Sequence, residues 1–163
     1  MAGLSAQDLT WTLDHVRQHI EQGLPLVPLF NIDVIEASSE RGAVRLREGL
    51  HVTRPGGSVA GPVQFALADV ATYALILAAR RDAAAVTVDL TINFLRPAMT
   101  LPLIAVATTL RGGRRLFTAE VRITEEMTGR LVSHATTTYA LSQEGQSDEA
   151  SETGALPRTP SKA

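Results

Sequence analysis

Hydrophobic and polar positions along this chain change their period several times, and each change marks an element. From Ser5 to Gln22 the apolar residues Leu9, Leu13, Val16 and Ile20 recur at the spacing of an amphipathic helix. Ser5 can cap that helix, with Asp8 three positions on, and Gly23 and Pro25 end it. Phe30 to Ala37 and Ala43 to Val52 read as two strands about a Ser-Ser-Glu-Arg-Gly turn, the second with Val44, Leu46, Leu50 and Val52 in one parity. Ala85 to Leu95 alternates cleanly. Val86, Val88, Leu90, Ile92 and Phe94 share one parity and Thr87, Asp89, Thr91 and Asn93 the other, which predicts a half-buried strand with a polar outer face. Leu101 to Leu110 is apolar in both parities, as a central strand would be. Gly112-Gly113, bracketed by Arg111 and Arg114, is a two-residue hairpin signal. Arg115 to Thr124 alternates again through Phe117, Ala119, Val121 and Ile123, and Leu131 to Leu141 makes the last strand.

The stretch from Arg54 to Arg81 obeys neither period. After a glycine-rich turn it is almost wholly apolar, interrupted by Gln64, Asp69, Thr72 and Tyr73. A helix apolar on nearly every face needs cover all round. A membrane is a poor source of that cover, because the longest run free of polar side chains, Ala74 to Ala79, is far short of roughly 18 residues and Asp69 would sit near mid-span. A helix over Val59 to Arg80, about 33 Å long, is therefore expected inside a globular domain and wrapped by the strands. The order of elements predicts an α+β fold: an N-terminal helix, then one curved antiparallel sheet of about six strands around one long helix.

Composition refines this picture. The chain of 163 residues suits one domain with a real core. Residues 1–28 form a helix and linker, 29–142 the folded domain, and 143–163 a Ser/Glu/Gly/Thr/Pro tail expected to be disordered. Residues 1–142 hold thirteen acidic and thirteen basic side chains, so the net charge of −2 resides in the tail and nothing marks nucleic acid as a partner. Without cysteine there is no disulfide, thiolate zinc site or cysteine nucleophile. The four histidines lack metal spacing; His15 and His19, four apart, are read as a solvated helix face. No basic start followed by an apolar run opens the chain, and the expected setting is cytoplasmic.

Three segments, RPGGSVAGPVQFALADVA at 54–71, VTVDLTINFLRPA at 86–98 and GGRRLFTAEVRITEEMTGRLVSHATTTYAL at 112–141, resemble the hotdog fold and, within it, the PaaI-like acyl-CoA thioesterases. The first carries most of the likeness: a glycine-rich turn, a glycine at the helix start (Gly61) and an acid eight positions later (Asp69). The second matches the strand that commonly pairs two subunits. The resemblance implies a thioester hydrolase acting on an acyl-CoA without a cofactor, as a homodimer or dimer of dimers. Two departures stand out: Ala60 where many relatives carry His, and Arg54 where some carry Asn.

Such chemistry needs activated water and a site for the oxyanion. A partly desolvated carboxylate is a stronger base than a surface one, which makes Asp69 the candidate for the first task. Backbone N–H groups at Gly61, at the positive end of the helix dipole, suit the second. On one helix the two lie roughly 12 Å apart. The resemblance implies that the Gly61 of one subunit faces the Asp69 of the other, with Thr87 orienting the water. Asp69 as base or as nucleophile, or as a structural acid capped by backbone donors or paired with an Arg, are the readings open at this stage. Gln64 and Tyr73 are candidates for touching the acyl group, and Arg96, Arg111, Arg114 and Arg115 for the phosphates of CoA. A non-catalytic acyl-CoA-binding protein is the alternative; a hydratase, which typically pairs an acid with a catalytic His, fits less well, because no His lies between His51 and His134.

Overall fold

The computed structural model describes residues 11–142. The Ser5 cap, Asp8, Leu9 and the expected disordered tail lie outside the described residues. Helix α1 spans Leu13–Gly23, and the Oγ1 of Thr12 accepts the His15 N–H at its start. Val16 and Ile20 are buried, as the amphipathic pattern requires. Past Gly23 the chain makes a one-turn helix α2, Leu26–Leu29, where the sequence reading placed the linker and the first residue of the folded domain.

Strands β1 (Ile32–Ala37) and β2 (Arg41–Leu46) form a hairpin whose turn is closed by Ser38, its Oγ accepting the N–H of Arg41 at 3.0 Å. Helix α3 follows as Gly61–Arg80, then β3 (Val86–Phe94), β4 (Leu103–Gly112), β5 (Leu116–Glu125) and β6 (Leu131–Ala140). All six strands pair antiparallel in the order β1-β2-β4-β5-β6-β3. This is the expected hotdog arrangement, with α3 packed against the sheet. Twelve of the twenty α3 residues are buried, so the helix, although long and apolar enough to cross a membrane, has its cover within the domain. Its residual open stripe is Pro62, Phe65, Asp69 and Tyr73, about one turn apart.

Close packing of helix on sheet depends on Gly42. A Cβ there would lie 2.2 Å from the Ala71 carbonyl oxygen and 2.6 Å from the Leu75 nitrogen, so β2 and α3 meet backbone to backbone. Elsewhere the joint is polar: the buried hydroxyls of Thr72 and Thr137 bond at 3.0 Å between α3 and β6.

Several expected boundaries are corrected. The second strand stops at Leu46, not Val52, because its neighbour β4 begins opposite it at Leu103, directly after Pro102, which has no N–H to offer. Leu50 is accordingly in a loop and almost fully exposed. The hairpin after β4 is longer than two residues: the register slips at Leu110, Gly112 pairs with Phe117, and the Gly113 N–H reaches the Leu116 oxygen. Finally, His19 is not on a solvated face. It is half-buried, with Nε2 3.1 Å from the Tyr73 hydroxyl and its ring edge-on to Trp11.

Candidate active site

Asp69 lies at the middle of the open stripe of α3 and is half-buried. Two hydroxyls converge on one of its oxygens: Tyr139 donates to Oδ1 at 2.6 Å and Thr87 donates to the same atom at 2.8 Å. Among the described residues neither a backbone donor nor an Arg holds the side chain; its partners are these two hydroxyls. An oxygen with two lone pairs, both engaged, has no acceptor capacity left, so Oδ2 is the oxygen open to a further partner.

Thr87 reaches this carboxylate through a break in the strand pattern. Strict alternation places it on the outer face, opposite to Val86 and Val88. In the structure the β3–β6 register shifts between Thr87 and Asp89, so that Val88 is an extra residue. Beyond the bulge Leu90, Ile92 and Phe94 pair with Thr137, Ala135 and Ser133 on the inner face; before it Thr87 pairs with Tyr139 on that same face. Val86 and Val88 are consequently turned out and exposed. The sequence expectation for these three residues is reversed by one unpaired residue.

At the helix start, Ala60 is extended and makes no side-chain cap, and the N–H groups of Val63 and Gln64 turn back to its carbonyl at 3.1 and 3.2 Å. The Gly61 N–H has no acceptor among the described residues. The ring of Phe94 closes over Gly61 so tightly that a Cβ would stand 3.2 Å from it. Gln64 is buried with both ends of its amide engaged, donating to the Val59 oxygen at 3.2 Å and accepting from the Ser133 hydroxyl. It ties the turn before α3 to the sheet. Tyr73 donates to the Ala83 oxygen at 2.9 Å and stacks against Tyr139, ring centroids 6.5 Å apart. Burial, helped by the Asp82 charge, raises its pKa above the ordinary phenol value.

The four arginines singled out in the sequence divide into two sets. Arg114 and Arg115 join Arg80 and Arg81 around an open depression at the C-terminal end of α3, completed by Asp82 and Ser142. The Asp82 carboxylate is occupied there by the N–H and hydroxyl of Ser142, each at 2.7 Å. Arg96 is committed to the Leu131 oxygen at 2.9 Å, and neither it nor Arg111 lines the depression. Among the described residues no three His, Asp or Glu side chains converge as metal ligands do.

Sequence reasoning passed over Tyr139, Ser133, Arg80 and Arg81. Tyr139 had a signal: it shares parity with Ala135 and Thr137 on a strand expected to cover α3, and a buried tyrosine hydroxyl needs an acceptor. Asp69 is the sole carboxylate on that helix.

Residues 56–132 match a family model described as the thioesterase superfamily. Among solved structures, a candidate thioesterase from a Silicibacter species is 30% identical, with a TM-score of 0.73 over 83% of this chain and 95% of that one. Thioesterase superfamily member 2 of zebrafish is 26% identical, with a TM-score of 0.70 over 80% of this chain and 99% of that one. A thioesterase from Haemophilus influenzae, 22% identical, shares the fold with a TM-score of 0.71 over 81% of this chain and 91% of that one. No curated protein matches the sequence. A carboxylate in mid-helix on a sheet-wrapped helix, a free glycine N–H at that helix's start, and a 30% identical relative covered over 95% of its length together place the chain in the thioesterase superfamily, to which it belongs.

Proposed function

We propose that this chain is a PaaI-like acyl-CoA thioesterase acting in the cytoplasm as a homodimer or dimer of dimers. One observation carries the reading: Asp69 is pinned at Oδ1 by Thr87 and Tyr139 and, among the described residues, has no cationic partner, which leaves Oδ2 as the working oxygen. In the water route Oδ2 takes a proton from water as its oxygen bonds to the thioester carbonyl carbon; the C–S bond then breaks and the proton passes to the leaving thiolate. In the nucleophilic route Oδ2 attacks that carbon itself and expels the thiolate as the C–S bond breaks. Water later opens the anhydride, regenerating the Asp69 carboxylate and releasing the acid, and the proton freed in that step passes to the thiolate. Both need donors at the carbonyl oxygen, and the N–H of the partner's Gly61 would supply one.

Support for the shared site comes from β3, an edge strand with Val86 62% and Phe94 53% exposed in the single chain. Its inner face bears Thr87 beside Asp69 at one end and Phe94 over Gly61 at the other. Two such edges paired antiparallel, with Thr87 opposite the partner's Phe94, would carry the partner's Gly61 toward Asp69. The depression rimmed by Arg114 and Arg115, both exposed, offers guanidinium forks to the phosphates of CoA. Neither nucleic acid nor a membrane has a role in this reading.

The test is thiol release from a panel of acyl-CoA esters, short, long and aryl. Asp69→Asn is expected to lower turnover by about 10²- to 10⁴-fold while the fold persists; full activity in that variant would remove Asp69 from the chemistry. The uncapped Ala60, where many relatives carry His, favours a second reading, an acyl-CoA-binding protein without turnover. Tight binding by calorimetry with no thiol released from any ester would select it.

A further inference from the structure

From the geometry around Asp69 we infer that Tyr139 is a positioning residue for the reaction, selecting which carboxylate oxygen reacts and linking that choice to the N-terminal helix. The inference rests on the thioesterase reading above.

Three observations support it. Tyr139 is 2% exposed, yet its hydroxyl reaches both the Oδ1 of Asp69 at 2.6 Å and the backbone oxygen of the same residue at 3.1 Å. It thereby spans side chain and main chain, and sets the rotamer as well as the position of the carboxylate. Second, the phenol is no proton carrier: burial, and then the Asp69 charge, push its pKa far above the usual phenol range, so it remains a donor throughout the working pH range. Third, the ring is itself held. It lies nearly parallel to Tyr73, the planes 8° apart, and the Tyr73 hydroxyl stands 3.1 Å from His19 Nε2 on α1.

Thr87 and Tyr139 hold Oδ1 from neighbouring strands, and the two differ in what they can do. Thr87 lies on the edge strand and is itself exposed; Tyr139 is shut in under α3. Tyr139 therefore acts on the carboxylate and does not reach substrate, which gives the two residues different kinetic signatures.

Tyr139→Phe keeps the ring and its stacking and deletes only the donor. Its kcat on the best acyl-CoA ester is expected to fall about 10- to 100-fold with KM within about twofold of the parent, as a misaimed group costs rate and leaves binding alone. A kcat within twofold of the parent would overturn the proposal, as would a loss confined to KM. An independent readout needs no turnover: the ¹³C signal of the Asp69 carboxyl at neutral pH is expected to move in Tyr139→Phe, because a donor at Oδ1 polarises it. An unmoved signal overturns the proposal even if the parent hydrolyses nothing. A parent inactive on every ester, with the signal displaced, would refute the thioesterase function and keep the tyrosine's hold on the carboxylate. Should Tyr139→Phe fold poorly, Tyr139 replaced by 3-fluorotyrosine retains the side chain, and the same signal is expected to shift.

Discussion

Thr87 donates to Asp69 across 2.8 Å only because Val88 drops out of the β3–β6 ladder. Were the strand regular, the hydroxyl would be on the far side of the sheet and Val88 would face the helix carboxylate. The bulge is thus what brings the Thr87 hydroxyl to Asp69.

Thr87→Val, which preserves shape and removes the donor, is expected to slow turnover about tenfold, the scale of one hydrogen bond to a charged group. Steady-state kinetics beside an unchanged melting curve would establish this; unaltered kcat would show the contact to be incidental.

A site shared by two copies makes a prediction about mixtures. Gly61→Pro removes the free N–H and suits the extended Ala60 that precedes it. It needs the Phe94 ring, 3.2 Å from a Cβ there, to give way, so an unchanged melting curve is required of this variant. That variant and Asp69→Asn should each be inactive alone. Refolded together in equal amounts they should recover about a quarter of parental activity, since half the dimers would hold one intact site. No recovery, despite mixed dimers in native mass spectrometry, would place both groups on one chain.

Gly42→Ala should be among the costliest single changes in the fold. Its Cβ would lie 2.2 Å from the Ala71 oxygen, and neither backbone can retreat without opening the core. A loss of about 3 kcal/mol or more, read as a melting temperature about 10 °C lower, is expected.

Acid stability should depend on the β5–β6 turn. Glu125 is fully buried and gripped by Arg130 through both oxygens, at 2.8 and 3.2 Å, with the Thr128 hydroxyl at 2.8 Å. Chiefly through Arg130, its pKa is held down at about 2. An acid with a depressed folded pKa stabilises fully above its unfolded value, about 4.3, and loses that contribution as pH falls through the folded value. Urea midpoints should therefore fall between pH 5 and pH 2.5 in the parent, and fall less in Glu125→Gln. Arg130→Met at pH 7 should lower the urea midpoint, because the buried Glu125 carboxylate keeps the Thr128 hydroxyl but loses its cationic partner.

The sequence carried the architecture because its strongest signals are local. An all-round apolar helix with Asp69 in its middle has few possible settings, and the strands that clothe it alternate. What escaped the sequence is decided between elements. Leu46 ends its strand because of where Pro102 lies, a fact about a partner and not about residues 47–52. Val88 gives no local sign of being unpaired, since Val-Thr-Val alternates whether or not the ladder counts every residue. Tyr139 looks like any inward strand residue until the carboxylate seventy positions earlier comes within reach.

Arg80 has a consequence of a different kind. It donates to the Gly112 oxygen at 2.6 Å and lies over the Phe117 ring at 5.7 Å, so the last turn of α3 clasps the base of the β4–β5 hairpin. Beyond that clasp Gly113 is confined, since a Cβ there would lie 2.8 Å from the Leu116 oxygen, while Arg114 and Arg115 are exposed. Changes at Arg114 and Arg115 are therefore expected to leave the Asp69 contacts undisturbed, because the clasp, and not the tip, anchors the hairpin to the helix.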